Sequence, residues 1–249
     1  MCGARVNTAI IVQARTGSTR LPGKVLMPLG GVPVLEHVLS RLQNVKSADT
    51  VCVATTTASH DDAVVDVAGR MGVAVYRGSE TDVLGRYRGA AAMVDANVII
   101  RVTSDCPLID YSVIEQLIAL RDETAADYAS NGLLRIDWPH GLDCEIFTRK
   151  VLESAVASTS DPYDHEHVTP WIRTRGAATR CHLPGPGLPV SEQRWVLDYP
   201  EDYAFLTRLF SFFPAAGAPL KWQQVWEVVQ KHPDISSINS HLRRAALPL

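Results

Sequence analysis

Three cations, Arg15, Arg20 and Lys24, fall within ten residues in the stretch Gln13-Ala-Arg-Thr-Gly-Ser-Thr-Arg-Leu-Pro-Gly-Lys24. Thr16, Gly17, Ser18 and Thr19 between them are small, so backbone N–H groups there can approach a phosphate closely. Arginine offers phosphate oxygens a planar fork, and lysine a mobile point charge. The stretch is not a P-loop, because Val25 rather than Ser or Thr follows Lys24. A solvated turn with ordinary surface cations is the plainer alternative. Two acidic segments could complement it. In Arg101-Val-Thr-Ser-Asp-Cys-Pro-Leu-Ile-Asp110, Asp105 follows a buried run and can hold a hard cation that bridges phosphate oxygens. Asp110 has the place of an N-cap for the helix after it. In Trp195-Val-Leu-Asp-Tyr-Pro-Glu-Asp202, Asp198 can serve equally as a cap, with Pro200 in the first helical turn, or as a metal ligand.

Other residues carry weaker signals. Asp164-His-Glu-His167 has neither H-E-x-x-H nor zinc-finger spacing, and His165 and His167 do not share a helix face, so pocket or structural roles are expected. Asp143 and Glu145 alternate on one face of a strand-like segment, with Cys144 and Ile146 on the other. Cys106 has no sequence-local activating partner and reads as a bystander. Trp222 and Trp226 read as helix packing, and Arg243-Arg244 as a solvated tail. The five cysteines (Cys2, Cys52, Cys106, Cys144, Cys181) are odd in number and scattered, which argues against a disulfide framework and for a reducing cytoplasm.

These residues need a frame. Strand-like runs at Thr8–Gln13, Thr50–Thr55, Val73–Tyr76 and Asn97–Val102 alternate with helical patterns at Val32–Leu42, Asp61–Met71, Asp82–Val94 and Ser112–Arg121. Such alternation predicts crossover units and a mostly parallel sheet, whose carboxyl-end loops carry ligands. Beyond it the spacing predicts strands at Ala126–Ser130, Leu142–Phe147 and Gln193–Leu197. Helices are expected at Arg149–Ser158, Asp164–Arg175, Glu201–Phe212 and Trp222–Gln230, with a Pro/Gly-rich loop at Leu183–Val190 and an irregular basic tail. One domain over residues 1–249 is expected, with an irregular substrate-side segment at about 126–190.

The Arg15-x4-Arg20-Leu-Pro-Gly-Lys24 motif, Asp105-Cys-Pro-Leu-Ile109 and Asp198-Tyr-Pro-Glu-Asp202 occur in that order. Together they resemble the cytidylyltransferases that activate acidic sugars, such as the 3-deoxy-manno-octulosonate and acylneuraminate enzymes. The resemblance is nearest to their spore-coat-polysaccharide-like branch, which also shows Arg77-Gly-Ser-Glu80, Gly141-Leu-Asp-Cys-Glu145 and Glu166-His-Val-Thr169. It spans Ala9 to Phe210. It implies an α/β, GT-A-like nucleotidyltransferase fold with a mostly parallel, mixed sheet flanked by helices, and use of CTP and Mg²⁺. By matching positions, Ala14 and Arg15 lie beside the nucleotide, with Ser18, Thr19, Arg20 and Lys24 around its triphosphate and Thr55 on the base side. Arg15, Arg20 and Lys24 are the implied catalytic residues, Asp105 and Asp198 the Mg²⁺ carboxylates, and Asp143, Glu145 and His167 the sugar contacts. The chain departs from the octulosonate pattern at Ser104-Asp-Cys-Pro107, where those enzymes read G-D-E-P, and at Ala54-Thr-Thr-Thr57, where they read A-T-D.

The expected reaction is transfer of CMP from CTP to a sugar acid or related anionic sugar, with pyrophosphate release. A glycosyltransferase using a nucleotide-sugar donor is one alternative, disfavoured because no D-x-D stands at Ser104-Asp105-Cys106. A non-catalytic nucleotide-binding protein is another. With 24 Lys plus Arg against 27 Asp plus Glu, the net charge of −3 gives no basic field for nucleic acid. No apolar run reaches the ~18 residues of a spanning helix, and Met1-Cys-Gly-Ala-Arg5 runs into a strand without a signal-peptide pattern. A homodimer is left open.

Overall fold

The alternation of apolar runs and amphipathic segments folds as crossover units in the computed structural model, which describes residues 7–213 and 220–242. Cys2 and Arg243-Arg244 lie outside the described residues. In chain order come β1 (Thr8–Gln13), the short pair β2 (Pro28–Leu29) and β3 (Val32–Pro33), α1 (Val34–Leu42), β4 (Thr50–Thr56), α2 (Asp62–Arg70) and β5 (Ala74–Gly78). Then follow α3 (Val83–Met93), β6 (Val98–Thr103), α4 (Tyr111–Thr124), β7 (Tyr128–Ser130), β8 (Glu145–Thr148), α5 (Arg149–Ser158) and α6 (Pro162–His167). The described chain continues through β9 (Arg180–His182), α7 (Pro200–Phe210), α8 (Trp222–Lys231) and α9 (Pro233–Ser237).

Seven strands form one sheet in the order β5-β4-β1-β6-β8-β7-β9. Only β8 runs against its neighbours, pairing antiparallel with β6 and β7. The sheet is buried on both faces, so its central strands are mainly apolar, with Gln13, Arg101 and Thr103 toward their carboxyl ends. Ile10 and Val12 face a core built with α1, α2, α4 and the C-terminal helices. Ala9 and Ile11 face a second core with α3 and α5. The chain leaves β1 for β4 on one side and later returns to β6 on the other. That reversal opens a crevice at the carboxyl ends of β1 and β6, where ligands of open α/β sheets bind.

Several elements differ from the sequence expectation. Gln193–Leu197 is not a strand. Trp195 and Leu197 are fully buried, which explains the apolar run. Their N–H groups, however, go to two different loops, Trp195 to the His140 carbonyl at 2.7 Å and Leu197 to that of Asp105 at 2.8 Å, so no ladder forms. The helix expected over Asp164–Arg175 is split. It ends at His167, Val168 takes φ +70°, and a wide turn follows over Ile172–Gly176. Pro170 is the reason legible in sequence, since it disfavours helical backbone at Thr169. The strand expected from Leu142 starts only at Glu145, because the Asn131 side chain takes over the ladder's role. Its Nδ2 donates to the Leu142 carbonyl and its Oδ1 accepts from the Cys144 N–H. β9 falls in a stretch to which the sequence assigns no element, and α9 where an irregular tail is expected; three- and five-residue elements carry too little periodicity to register. No helix among the described residues is long and apolar enough to cross a membrane.

Candidate active site

The loop after β1 is shaped by its own backbone and by one distant carboxylate. The Ser18 and Gly23 N–H groups both donate to the Thr16 carbonyl, at 2.8 and 2.9 Å. Gly23 adopts φ +70° and leads into a single 3-10 turn over Lys24–Leu26, which turns the Lys24 side chain inward. Asp61, fully buried ahead of α2, accepts from the Thr16 N–H at 2.7 Å and the Thr16 hydroxyl at 2.8 Å. It also accepts from the Thr56 hydroxyl at the end of β4. These bonds hold its carboxyl below the usual range even though burial pushes it up. In sequence Asp61 stands only as a helix start; its carboxylate ties the cationic loop to β4.

Lys24, Asp105 and Asp198 converge. The Lys24 Nζ lies 2.8 Å from Asp105 Oδ2 and 2.7 Å from Asp198 Oδ1. Arg20 reaches Asp198 Oδ1 at 3.1 Å, with its guanidinium 5.2 Å from the centre of the Tyr199 ring. Burial alone would lower the Lys24 pKa, but Asp105 and then Asp198 outweigh it and raise it. For Asp105 burial pushes the pKa up, and Lys24 more than reverses this. The sequence left Asp198 open between cap and ligand. In the structure α7 starts at Pro200, and Asp202 accepts from the N–H groups of Asp198 and Tyr199, both at 3.0 Å. The N-cap position is Tyr199, so Asp198 stands one residue before it and turns its carboxylate to the cations. Asp110 does cap α4, accepting from the Ser112 N–H at 2.7 Å.

The donor set fits a hard divalent cation. Two carboxylates from separate loops already meet on one positive charge, the Lys24 ammonium. Among the described residues no three His, Cys, Asp or Glu side chains gather to hold a metal by themselves. Mg²⁺ matches that arrangement, because it binds one or two carboxylates and takes other oxygens from substrate phosphates and water.

Two cavities meet beside this centre. The larger, about 510 Å³, is lined by Ala14, Arg15, Ser18, Thr19, Arg20 and Lys24, with Gln13, Thr103 and Asp105 beneath them. The smaller, about 290 Å³, contains Asp143, Glu145, His140, Arg173 and Asp198. Arg101, Thr103, Asp105 and His167 line both. Glu145 is paired with Arg101 at 2.6 Å and accepts from the Tyr128 hydroxyl. His167 packs its ring on Tyr163 at 4.3 Å. Positioned by the Val168 turn, in which the Thr169 N–H donates to the His167 carbonyl at 2.8 Å, it stands at the junction of the cavities. His165 points elsewhere, its Nδ1 2.7 Å from Asp82 Oδ1 and its Nε2 3.1 Å from the Thr159 carbonyl, so the two histidines do not act together.

Thr55 lies fully buried in β4 and lines neither cavity, and its hydroxyl is without a hydrogen-bond partner. Arg77 braces the loop after β4 through the Thr56 and Ala58 carbonyls, each at 2.8 Å. Burial, reinforced by Asp105, pushes the Cys106 thiol well up, which removes its nucleophilic thiolate. Cys52, Cys106, Cys144 and Cys181 are all free thiols.

Residues 9–209 match the family model described as cytidylyltransferase. An uncharacterized protein of Methanocaldococcus jannaschii is 34% identical over 236 residues, covering 94% of this chain and 95% of its own. The spore coat polysaccharide biosynthesis protein SpsF of Bacillus subtilis is 33% identical over 208 residues, covering 80% and 85%. The solved structure of a cytidylyltransferase from Leptospira borgpetersenii superposes with a TM-score of 0.87 at 31% identity, over 97% of this chain and all of that one. The match spans both strand-end loops and Asp198 alike, and the chain belongs to the cytidylyltransferase family.

Proposed function

We propose that this chain transfers CMP from CTP to a hydroxyl of an acidic sugar and releases pyrophosphate, supplying an activated sugar for a cell-surface polysaccharide or glycan. The observation that carries the reading is the convergence of Lys24, Asp105 and Asp198 at the carboxyl ends of β1 and β6, between the two cavities. The larger cavity takes the nucleotide: Arg15, Arg20 and Lys24 meet the triphosphate, and Ala14, Ser18 and Thr19 let it approach the backbone. The smaller cavity takes the sugar. Arg101, Arg173 and the two histidines there suit an anionic group, and Asp143 and Glu145 suit hydroxyls. Residues 1–249 act as one catalytic unit, with 126–190 forming the substrate side.

Asp105 and Asp198 would hold Mg²⁺, which supplies Lewis-acid polarisation of phosphate oxygens when bound. The chain's own part is positioning and charge. The two cavities set the sugar hydroxyl against the α-phosphorus; its oxygen forms the new P–O bond as the bond to pyrophosphate breaks, and its proton is given up to solvent water. Arg20 and Lys24 stabilise the charge that accumulates on pyrophosphate. Tyr199 and Asp202 keep Arg20 and Asp198 in place while this happens.

The test is pyrophosphate release from each of the four nucleoside triphosphates against a panel of acidic and neutral sugars, with Mg²⁺ and mass analysis of the product. Pyrophosphate appearing with CTP and an acidic sugar, matched by a CMP-sugar, is the expected result. Transfer from nucleotide-sugar donors without pyrophosphate would establish the glycosyltransferase alternative. Saturable CTP binding with no turnover across the panel would leave a non-catalytic binder.

A further inference from the structure

The C-terminal helices meet the active site through one buried side chain. Asn239, 2% exposed and just after α9, donates from Nδ2 to Asp202 Oδ1 at 2.9 Å and to the Arg194 carbonyl at 3.0 Å. Arg194 grips the same carboxylate through two bonds of 2.8 Å, from Nε to Oδ1 and from Nη2 to Oδ2. Asp202 in turn holds the Asp198 and Tyr199 N–H groups. The backbone that carries Asp198 is thus fixed by a fully buried carboxylate that lines neither cavity, and that carboxylate is oriented from a segment 37 residues further along. Residues 220–242 lie beyond the 9–209 stretch that matches the family model. They are nevertheless locked to the frame at separate points. The Arg41 guanidinium donates to the Leu220 carbonyl at 2.7 Å, the Trp222 N–H to Asp110 at 2.6 Å, and the Ser236 hydroxyl to Gln193 at 2.9 Å.

We propose that Asn239 is a positioning residue that sets the Asp198 carboxylate through Asp202 and Arg194. The physical case is geometric. Asp198 stands on an extended connection with only a few backbone bonds of its own, next to three cations that pull its carboxylate in different directions: Lys24 at 2.7 Å, Arg20 at 3.1 Å and Arg194 at 3.7 Å. Removing the Asn239 amide leaves Asp202 Oδ1 held by Arg194 alone, so the carboxylate and the two N–H groups it holds are fixed from one side only. Ligand-orienting partners of this kind change metal affinity or activity by about 10–100-fold when lost. The proposal rests on Asp198 being a metal carboxylate.

The test compares Asn239→Leu, which keeps volume and removes both donors, with Ser236→Ala, which loosens the same helix without touching Asp202. Equilibrium binding of Mn²⁺ in the presence of CTP is read by electron paramagnetic resonance, alongside kcat, KM and melting temperature. Asn239→Leu is expected to weaken Mn²⁺ binding by ~10-fold and lower kcat similarly, with KM for CTP changed less. Ser236→Ala is expected to bind Mn²⁺ and turn over like the wild type at a comparable melting temperature. If both variants bind and turn over like the wild type, the positioning role is wrong. Equal losses in both variants would mean that general loosening of the helices is responsible, and would also overturn it. Should Asn239→Leu fail to fold, Asn239→Ser carries the same comparison. Asp198→Asn separates the two levels: unaltered Mn²⁺ binding in that variant would remove the metal reading itself, whereas its loss there beside a normal Asn239→Leu would remove only the positioning role.

Discussion

At the residue scale the site is a charge balance. Lys24 is buried between two carboxylates, and each partner depends on the others. Lys24→Met keeps much of the stem's packing and removes the charge. Its kcat/KM is expected to fall by ~10²-fold, about 3 kcal/mol of lost charge stabilisation. Its melting temperature is expected to drop in EDTA and recover in part with Mg²⁺, since Asp105 and Asp198 then face each other without a cation. A thermal melt in the two buffers checks this; identical melts would mean the carboxylates do not share a cation site. Asp105→Asn and Asp198→Asn preserve size and remove charge. Each is expected to fold and lose ~10²–10⁴ in activity, about 3–5 kcal/mol. Because both act through one cation, the double variant is expected to be much less than multiplicatively worse, as steady-state kinetics of the three proteins would show.

At the element scale the question is what holds the loops to the frame. α6 is tied to α3 through His165 and Asp82. The Asp82 hydrogen bond and the Thr159 carbonyl raise the His165 pKa. A raised histidine contributes stability that is fully present below its unfolded pKa of about 6.5 and is lost as pH rises through the folded value. His165→Gln is therefore expected to flatten the decline in melting temperature above pH 6.5; an unchanged profile would show that another group governs it. Two glycines separate strain from contact. At Gly23 a Cβ meets nothing within 4 Å, so Gly23→Ala is expected to cost only the left-handed backbone, about 1–2 kcal/mol. At Gly141, φ +110°, a Cβ would sit 2.7 Å from the Trp195 carbonyl carbon. Gly141→Ala is expected to cost more than ~4 kcal/mol, because backbone must move as well. Urea titrations of the two variants would give that order, and equal costs would deny the contact its role.

At the scale of the whole molecule, binding and stability are linked. The larger cavity joins β1, β6, α3 and α6, so a ligand filling it braces elements that come from distant parts of the chain. CTP with Mg²⁺ at ~100 times its Kd is expected to add about 2.7 kcal/mol to folding stability. That corresponds to a rise of roughly 5–11 °C in melting temperature for a chain of this size. ATP and GTP at the same concentration are expected to raise it less. Equal or larger shifts with a purine triphosphate would shift the base preference away from cytosine.

Local periodicity by itself determined the parallel half of this protein. β1 matches its expected bounds, and β4, α2, α3, β6 and α4 lie within a few residues of theirs, because apolar runs and amphipathic spacing are properties of neighbouring residues. The chemistry at the strand ends was equally local: Arg15, Arg20, Lys24 and Asp105 stand out by residue type beside a strand, and Asp110 by its place before a helix. What neighbours could not determine is which distant groups meet. Whether Asp198 caps a helix or faces a cation depends on the helix starting with Tyr199 as its N-cap and on Lys24 arriving from 174 residues away. The contacts of Asp61 with the cationic loop and of Asn239 with Asp202 have no motif at all, since a buried carboxylate or amide looks in sequence like any other. The apolar segment Trp195–Leu197 reads as a strand because burial sets its composition, while only the tertiary structure assigns its N–H groups to two different loops. Sheet order and loop docking made those choices, through contacts between residues that share nothing in sequence except the crevice into which they fold.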